Sequence, residues 1–391
     1  MESRAIFEDV HWMGAVDWDR RLFDALIPLP EGTSYNAYLL QGTEGTVLLD
    51  TVDPSMAGHL LRQLEAVPSL DYVIAHHAEQ DHSGTIAAVL DRYPDARVIG
   101  SERCRGLLID LLGIAEERFV TAGDGEEVSL GSLTLRFLHL PWVHWPETMV
   151  TYVPERKVLF SCDFLASHVA TTELCLPWAE VSAASKRYYG EIMMPFREHI
   201  QRHVPRLREL DLELIAPSHG PVHPEPATVL AAWEQWASDQ PRNLAVIAYV
   251  SMHGSTRRLV ERLASGLAAR GVRAEVHDLA SVDLGRLAMS LVDAATIVLG
   301  TPTVLGAPHP LAVFGAHTVG VLRPKAKFAG LLGSYGWGGK TVEMVTQALA
   351  PLKVELLAPV LCKGVPTGAD LEAVDALADQ VAARHREAGL A

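Results

Sequence analysis

The chain has 391 residues, 49% of them hydrophobic and 21% charged, and a formal net charge of −15. That length predicts two or three globular domains with room for sizeable cores. The acidic balance argues against nucleic-acid or anionic-membrane binding, since a polyphosphate surface would repel it, and no run approaches the roughly 18 apolar residues of a membrane span.

The opening Met-Glu-Ser-Arg-Ala-Ile-Phe-Glu-Asp lacks the basic-then-apolar plan of a signal peptide, so the expected location is cytoplasmic. Residues 1–240 carry short apolar runs separated by turns. Strands are predicted over 36–40, 46–50, 72–75, 97–100, 133–137, 149–153 and 157–160, with helices over 56–66 and 188–208. This mixture suggests a layered α/β domain. The polar, proline-containing Ser238-Asp-Gln-Pro-Arg-Asn243 reads as a linker. Residues 241–391 alternate regularly: strands over 244–250, 273–276, 296–300 and 328–333, helices over 256–270, 340–350 and 371–387. Regular alternation predicts a second domain built on a doubly wound parallel sheet. The cysteines, Cys104, Cys162, Cys175 and Cys362, are scattered without a C-x-x-C pair and read as reduced, packed thiols.

Residues 74–84 read Ile-Ala-His-His-Ala-Glu-Gln-Asp-His-Ser-Gly, placing His77, Glu79, Asp81 and His82 within six positions on a loop after an apolar run. A loop can converge that many side chains on one point, whereas a long helix would spread them around its circumference. His144, Asp163 and His219 each follow a further apolar run, where strand-end loops meet. Taken singly, a histidine is more often packed or exposed than a ligand, which is the reading for His11, His59, His76, His139, His203 and His309. The seven residues together predict a metal site, flanked by His168 and His223. No catalytic side chain is expected beyond the ligands.

In the second half, Ser251, Met252, His253, Gly254, Ser255 and Thr256 lie between a strand and a helix. Hydroxyls and backbone N–H groups at such a helix start suit a phosphate. Pro302, Thr303, Val304, Leu305 and Gly306 follow the third strand; Ser334, Tyr335, Gly336, Trp337, Gly338 and Gly339 follow the fourth. Loops at the carboxyl ends of successive strands are where a doubly wound sheet binds its ligand. Tyr335 and Trp337 offer aromatic faces to a flavin ring, and the three loops together resemble an FMN site of flavodoxin type.

The pattern H-x-[EH]-x-D-H, then His, Asp and His-Gly, resembles the metallo-β-lactamase fold family, which implies an αββα sandwich around two metals. Hydrolases of that family usually carry His where this chain has Glu79. A carboxylate there hardens the site and favours iron or manganese over zinc. A lactamase-like domain followed by a flavodoxin-like domain resembles the flavodiiron proteins, over nearly the whole chain. Gly32-Thr-Ser-Tyr-Asn-Ala-Tyr38, His144-Trp-Pro-Glu-Thr-Met149 and Tyr188-Tyr-Gly-Glu-Ile-Met-Met-Pro-Phe196 add to it.

The resemblance implies two non-haem irons and FMN. His77, Glu79 and His144 would hold one iron; Asp81, His82 and His219 the other; Asp163 would bridge them. In this family the histidine matching His82 does not always reach the metal, and some members carry a histidine within the segment matching Phe23-Asp24-Ala25. The implied reaction is reduction of dioxygen to water, or of nitric oxide to nitrous oxide. Electrons would come from rubredoxin, an NADH-linked reductase or a reduced deazaflavin. A head-to-tail homodimer is implied, with a tetramer left open. Two readings of other classes compete: a zinc hydrolase with a flavodoxin-like appendage, and an electron-transfer module with an idle metal site.

Overall fold

The computed structural model describes residues 2–390. It divides into two compact units, residues 1–188 with 196–237, and residues 189–195 with 238–391.

The first unit holds two sheets. Seven strands form one, in the order Arg4–Phe7, Val10–Trp12, Tyr38–Gln41, Thr46–Leu49, Tyr72–Ile74, Arg97–Gly100 and Phe119–Thr121. The first four pair antiparallel and the last four parallel. Five strands form the other: Glu127–Ser129, Thr134–His139, Met149–Val153, Val158–Cys162 and Leu214–Pro217. Strand periodicity sends alternate residues to opposite faces. Leu40, Val47, Leu49, Ile74 and Ile99 therefore meet Leu135, Phe137, Val153, Val158 and Phe160 of the facing sheet in one core. Leu39, Leu48, Val73 and Val98 point the other way, into a second core with Leu60, Leu64, Val89 and Leu108 of the flanking helices. Both faces of the central strands of the first sheet are dry, which is why those strands read as near-continuous apolar runs. The architecture is an αββα sandwich.

Three local features differ from the sequence reading. The stretch 188–208 is not one helix: Trp178–Tyr188 ends in a π-turn, Tyr189–Met193, and a new helix runs Arg197–Arg208. Pro195 lacks the N–H and restricts its neighbour, which disfavours an unbroken helix at that point, although Arg197–Arg208 accommodates Pro205 in its interior. Asp81 and His82 lie on one turn of helix, Gln80–Ser83, rather than on open loop. Of the four cysteines, Cys104, Cys162 and Cys362 are buried but Cys175 is exposed.

The second unit has parallel strands in the order Arg273–Asp278, Leu244–Tyr249, Thr296–Val304, Phe328–Tyr335, with the last position shared by Glu355–Leu356 and Val360–Lys363. In chain order this is 2-1-3-4-5, the flavodoxin-like arrangement. Helices Ser255–Ala269 and Gly368–Glu387 cover one face through Leu259, Leu263, Leu267, Val374, Leu377 and Val381. The last helix starts on a reciprocal cap between Thr367 and Asp370 and carries Arg384, His385 and Arg386 in its final turn, favourable against the helix dipole. Among the described residues no helix is long and apolar enough to cross a membrane.

Gly300 sits where the first and third strands of this sheet press together. A Cβ there would lie 2.6 Å from Tyr249 Cβ and 3.2 Å from Val260 Cγ2. The Gly300→Ala substitution is expected to destabilise this unit by about 1–3 kcal/mol, read as an earlier urea transition of the flavodoxin-like part alone.

Candidate metal centre and flavin-binding loops

Four strand-end segments carry the seven predicted ligands. His77 and Glu79 follow the strand Tyr72–Ile74, and Asp81 and His82 lie on the helical turn after them. His144 lies between Thr134–His139 and Met149–Val153; Asp163 follows Val158–Cys162; His219 follows Leu214–Pro217. The structure brings all seven together. His77, Glu79, His144 and Asp163 form one group with ligand atoms within 4.8 Å of one another; His82, Asp163 and His219 form a second; His77, Asp81 and His82 link them.

Asp163 joins the two groups. Its Oδ2 lies 3.0 Å from His144 Nε2 and 3.4 Å from His77 Nε2, while its Oδ1 lies 3.0 Å from His82 Nε2 and 3.7 Å from His219 Nε2. Glu79 Oε2 stands 3.0 Å from His144 Nε2, and Asp81 Oδ2 stands 3.1 and 3.2 Å from His82 and His219 Nε2. Ligands about 2.1 Å from a common cation sit roughly 3.0–3.5 Å apart, so the spacing is that of a coordination shell. Several of these atoms have no other use. His77 Nε2, both Asp81 carboxylate oxygens and Asp163 Oδ1 are buried without a hydrogen-bond partner. Buried polar atoms left in that state are costly unless a cation lies among them.

Surrounding groups orient the ligands. His219 Nδ1 donates to the Ser34 carbonyl at 2.7 Å, turning Nε2 toward the cluster. Its loop is held by Asn36, whose Nδ2 donates to Pro217 O at 2.8 Å and Gly220 O at 2.7 Å, and by the Tyr38 hydroxyl, 2.7 Å from Pro217 O. Gly220 is at φ +78°, and a Cβ on it would collide with Ser167 Oγ at 2.3 Å. His77 Nδ1 lies 3.3 Å from Cys162 Sγ. His168, a flanking candidate from sequence, is bonded through Nδ1 to Thr33 Oγ1 at 2.8 Å and packs its ring at a tilt against His219, centroids 4.6 Å apart; His223 bonds Leu165 O instead.

Sequence reasoning passed over one group. His76, read as an ordinary packed histidine, is buried with its Nδ1 2.6 Å from Asp50 Oδ2 and its Nε2 2.8 Å from Thr151 Oγ1. Asp50 Oδ1 accepts from the His76 N–H, and Ser218 Oγ donates to Asp50 Oδ2 at 3.3 Å, so this carboxylate ties the His77 loop to the His219 loop. The available signal was an aspartate closing a buried strand, the same setting as Asp163. Outside the cluster a cavity of about 540 Å³ is lined by Glu79 and Asp81, apolar Phe23, Leu111, Leu112 and Trp145, and polar Arg20, Asp24 and Asp53.

The three predicted flavin loops also converge. Gly254 is at φ +90° immediately before the helix Ser255–Ala269. Thr256 Oγ1 meets Ser334 Oγ at 3.0 Å, and Lys340 N donates to Gly306 O at 2.9 Å. Pro302–Val304 belong to the strand itself, which turns back through Leu305 and Gly306, both at positive φ, into Ala307–Pro308. That is a tight hairpin rather than the open loop read from sequence, with its twist supplied by two left-handed residues. A Cβ on Gly254, Gly336 or Gly338 would meet nothing within 4 Å, so these glycines border open space. Met252, Leu305 and Trp337 are 51%, 92% and 71% exposed.

Without cations three of the cluster histidines, His77, His82 and His144, are pushed toward their protonated forms. Burial pushes His144 down, but bonds to Asp163 and Glu79 outweigh it and raise its pKa to about 9. His77 and His82 are raised well above the usual value against the same burial, by Cys162 and Asp163 around His77 and by Asp81 and Asp163 around His82. A folded-state pKa above the unfolded one stabilises below pH 6.5 and is lost as pH rises through about 9. The carboxylates, held low, stay ionised throughout that window. Metal-free protein should therefore lose stability between pH 6.5 and 9.5, and its iron affinity should tighten over the same range as protons leave. Urea midpoints and iron titrations at the two pH values check both.

Comparison with known proteins agrees with this geometry. Residues 33–220 match the family model described as ODP family beta lactamase. The chain is 32% identical to a nitric oxide reductase of Moorella thermoacetica over 97% of this chain and 98% of that one. It is 34% identical to a type A flavoprotein of Rhodobacter capsulatus, over 94% and 88%. The rubredoxin oxygen:oxidoreductase structure from Desulfovibrio gigas superposes with a TM-score of 0.95 at 28% identity, covering 100% of both chains. The two-metal cluster, the 2-1-3-4-5 sheet and these full-length relatives lead to one assignment: the chain belongs to the flavodiiron protein family, and it is an oxidoreductase.

Proposed function

We propose that the chain reduces dioxygen to water at a non-haem diiron centre supplied by FMN. The observation that carries this reading is Asp163, one buried carboxylate whose two oxygens face two separate ligand groups. His77, Glu79 and His144 would hold one iron and Asp81, His82 and His219 the other, with Asp163 placed between the two groups to serve both. Three carboxylates would offset the charge of two ferrous ions and a hydroxide to zero, so a change of redox state there would meet no large electrostatic penalty. Residues 251–256, 302–306 and 334–339 would hold FMN, the start of the helix Ser255–Ala269 offering N–H groups to a phosphate. The domains of this reading are residues 1–240 for iron and 241–391 for FMN. When bound, a two-electron flavin and an iron pair supply the four electrons that dioxygen needs to become two waters.

The chain's own residues do the rest. Ser34 and Asn36 keep His219 aimed at the cluster. Phe23, Leu111, Leu112 and Trp145 give the cavity apolar walls that suit a small uncharged gas, while its open side admits solvent protons. Nitric oxide, reduced pairwise to nitrous oxide, fits the same walls, and the Moorella relative favours that second reading. A zinc hydrolase fits less well, because Glu79 stands in the cluster and the flavin loops converge.

The electron donor is a separate partner, with rubredoxin, an NADH-linked reductase and a reduced deazaflavin as candidates; rubredoxin is named in the Desulfovibrio gigas enzyme. The expected compartment is the cytoplasm. Purified protein should contain two irons and one FMN per chain, and Asp163→Ala should lose both irons with gas reduction down at least about 100-fold. Metal analysis, the flavin absorbance and anaerobic turnover with each gas make the test; a colourless, zinc-loaded, hydrolytic protein would overturn the reading.

The exposed Leu305 and Trp337 at the flavin loops, and the exposed Trp142 and Leu111 on the unit with the metal cluster, support a head-to-tail homodimer. One chain's flavin loops would meet the other's metal centre. Sedimentation at micromolar concentration is expected to give a dimer, and a fully active monomer would rule it out.

A further inference from the structure

We propose that Glu147 is a positioning residue that sets the angle at which His77 and Glu79 meet their iron. The inference rests on the diiron reading above and deepens it.

Ala78 lies between these two ligands, and side chains hold the peptide groups on both sides of it. Its N–H donates to Glu147 Oε1 at 2.9 Å. Its carbonyl accepts from Ser83 Oγ at 2.8 Å. No strand or helix ladder reaches this point, so those two bonds determine how the planes before and after Ala78 are turned.

Glu147 follows His144 by three residues, and it therefore links the two loops that carry the three terminal ligands of one iron. The loops run side by side for one rung, where Met149 N donates to His76 O at 2.9 Å. They then diverge. The Glu147 carbonyl is taken by Ser101 Oγ at 3.0 Å, and the Glu147 side chain supplies the acceptor that a backbone partner would have given.

This arrangement is expensive as packing. Glu147 is 3% exposed, and its Oε2 is buried without a partner. Burying a carboxylate with half its lone pairs unused destabilises a fold relative to an apolar replacement. Orientation of the ligand loop accounts for a cost that stability does not. Groups that orient metal ligands in this way change metal affinity by roughly 10–100-fold when removed.

The test uses the full-length protein reconstituted with ⁵⁷Fe and read by iron content and Mössbauer spectra. Glu147→Gln keeps an oxygen for the Ala78 N–H and is expected to load two irons with the spectrum of the unaltered protein. Glu147→Ala and Ser83→Ala are expected to fill the site of Asp81, His82 and His219 normally. Their affinity for the other iron should fall about 10–100-fold, with one quadrupole doublet lost or shifted. Native occupancy and spectrum in Glu147→Ala would overturn the proposal. So would equal impairment in Glu147→Gln, which would make charge rather than acceptor geometry the cause. Should Glu147→Ala not fold, Ser83→Ala decides, an unchanged spectrum overturning the proposal. An unaltered protein that takes up no iron pair would instead sink the diiron reading itself.

Discussion

Three carboxylates, Glu79, Asp81 and Asp163, are packed within contact of four histidine rings, and Asp163 is shared by both halves of the cluster. Repulsion between the carboxylates would disperse them in a flexible chain. The fold opposes this by delivering each from the end of a strand whose two neighbours are already paired. Asp163 leaves Val158–Cys162 beside Leu214–Pro217, and the His77 loop leaves Tyr72–Ile74 between Thr46–Leu49 and Arg97–Gly100. The dry core between the two sheets fixes these strand ends, and burial of Leu49, Ile74, Phe160 and Ala216 underlies the geometry of the cluster as directly as the clustered residues do.

A second layer of polar bonds turns the ligands once the strands have placed them. Asn36 is bonded to Trp12 Nε1 as well as to Pro217 and Gly220, so one amide joins both sheets to the His219 loop. Asp50 does the same between His76 and Ser218. Neither residue is predicted to touch a cation. Removing the acceptor from a buried pair such as Asp50 and His76 leaves a polar group stranded, which is why these contacts come as complete sets.

The central strands and the clustering of the seven residues were legible because both follow from local pattern: apolar runs of strand length, with chemistry-bearing residues just beyond them. The doubly wound parallel sheet followed from the alternation of runs and helices after Leu244, whereas its strand order did not. Less local features were not legible. Strands such as Arg4–Phe7 and Val10–Trp12 are short and mixed in polarity, so period-2 patterning is weak there. The helix Pro310–Leu322 is apolar on nearly all sides and shows no amphipathic stripe to detect. The Asp50–His76 and Glu147–Ala78 bonds join residues 26 and 69 positions apart, and nothing in either local sequence announces its partner.

The excursion of residues 189–195 bears on how the molecule can be divided. Those residues leave the first unit at the π-turn, pack with the second, and return at Phe196. Gly190 lies so close to the helix Leu284–Leu291 that a Cβ on it would be 2.9 Å from the Ala288 carbonyl. The two bodies are thus interleaved along the polypeptide instead of strung like beads. A cut at the linker would part residues 189–195 from the unit they pack with, Gly190 from Ala288 among them.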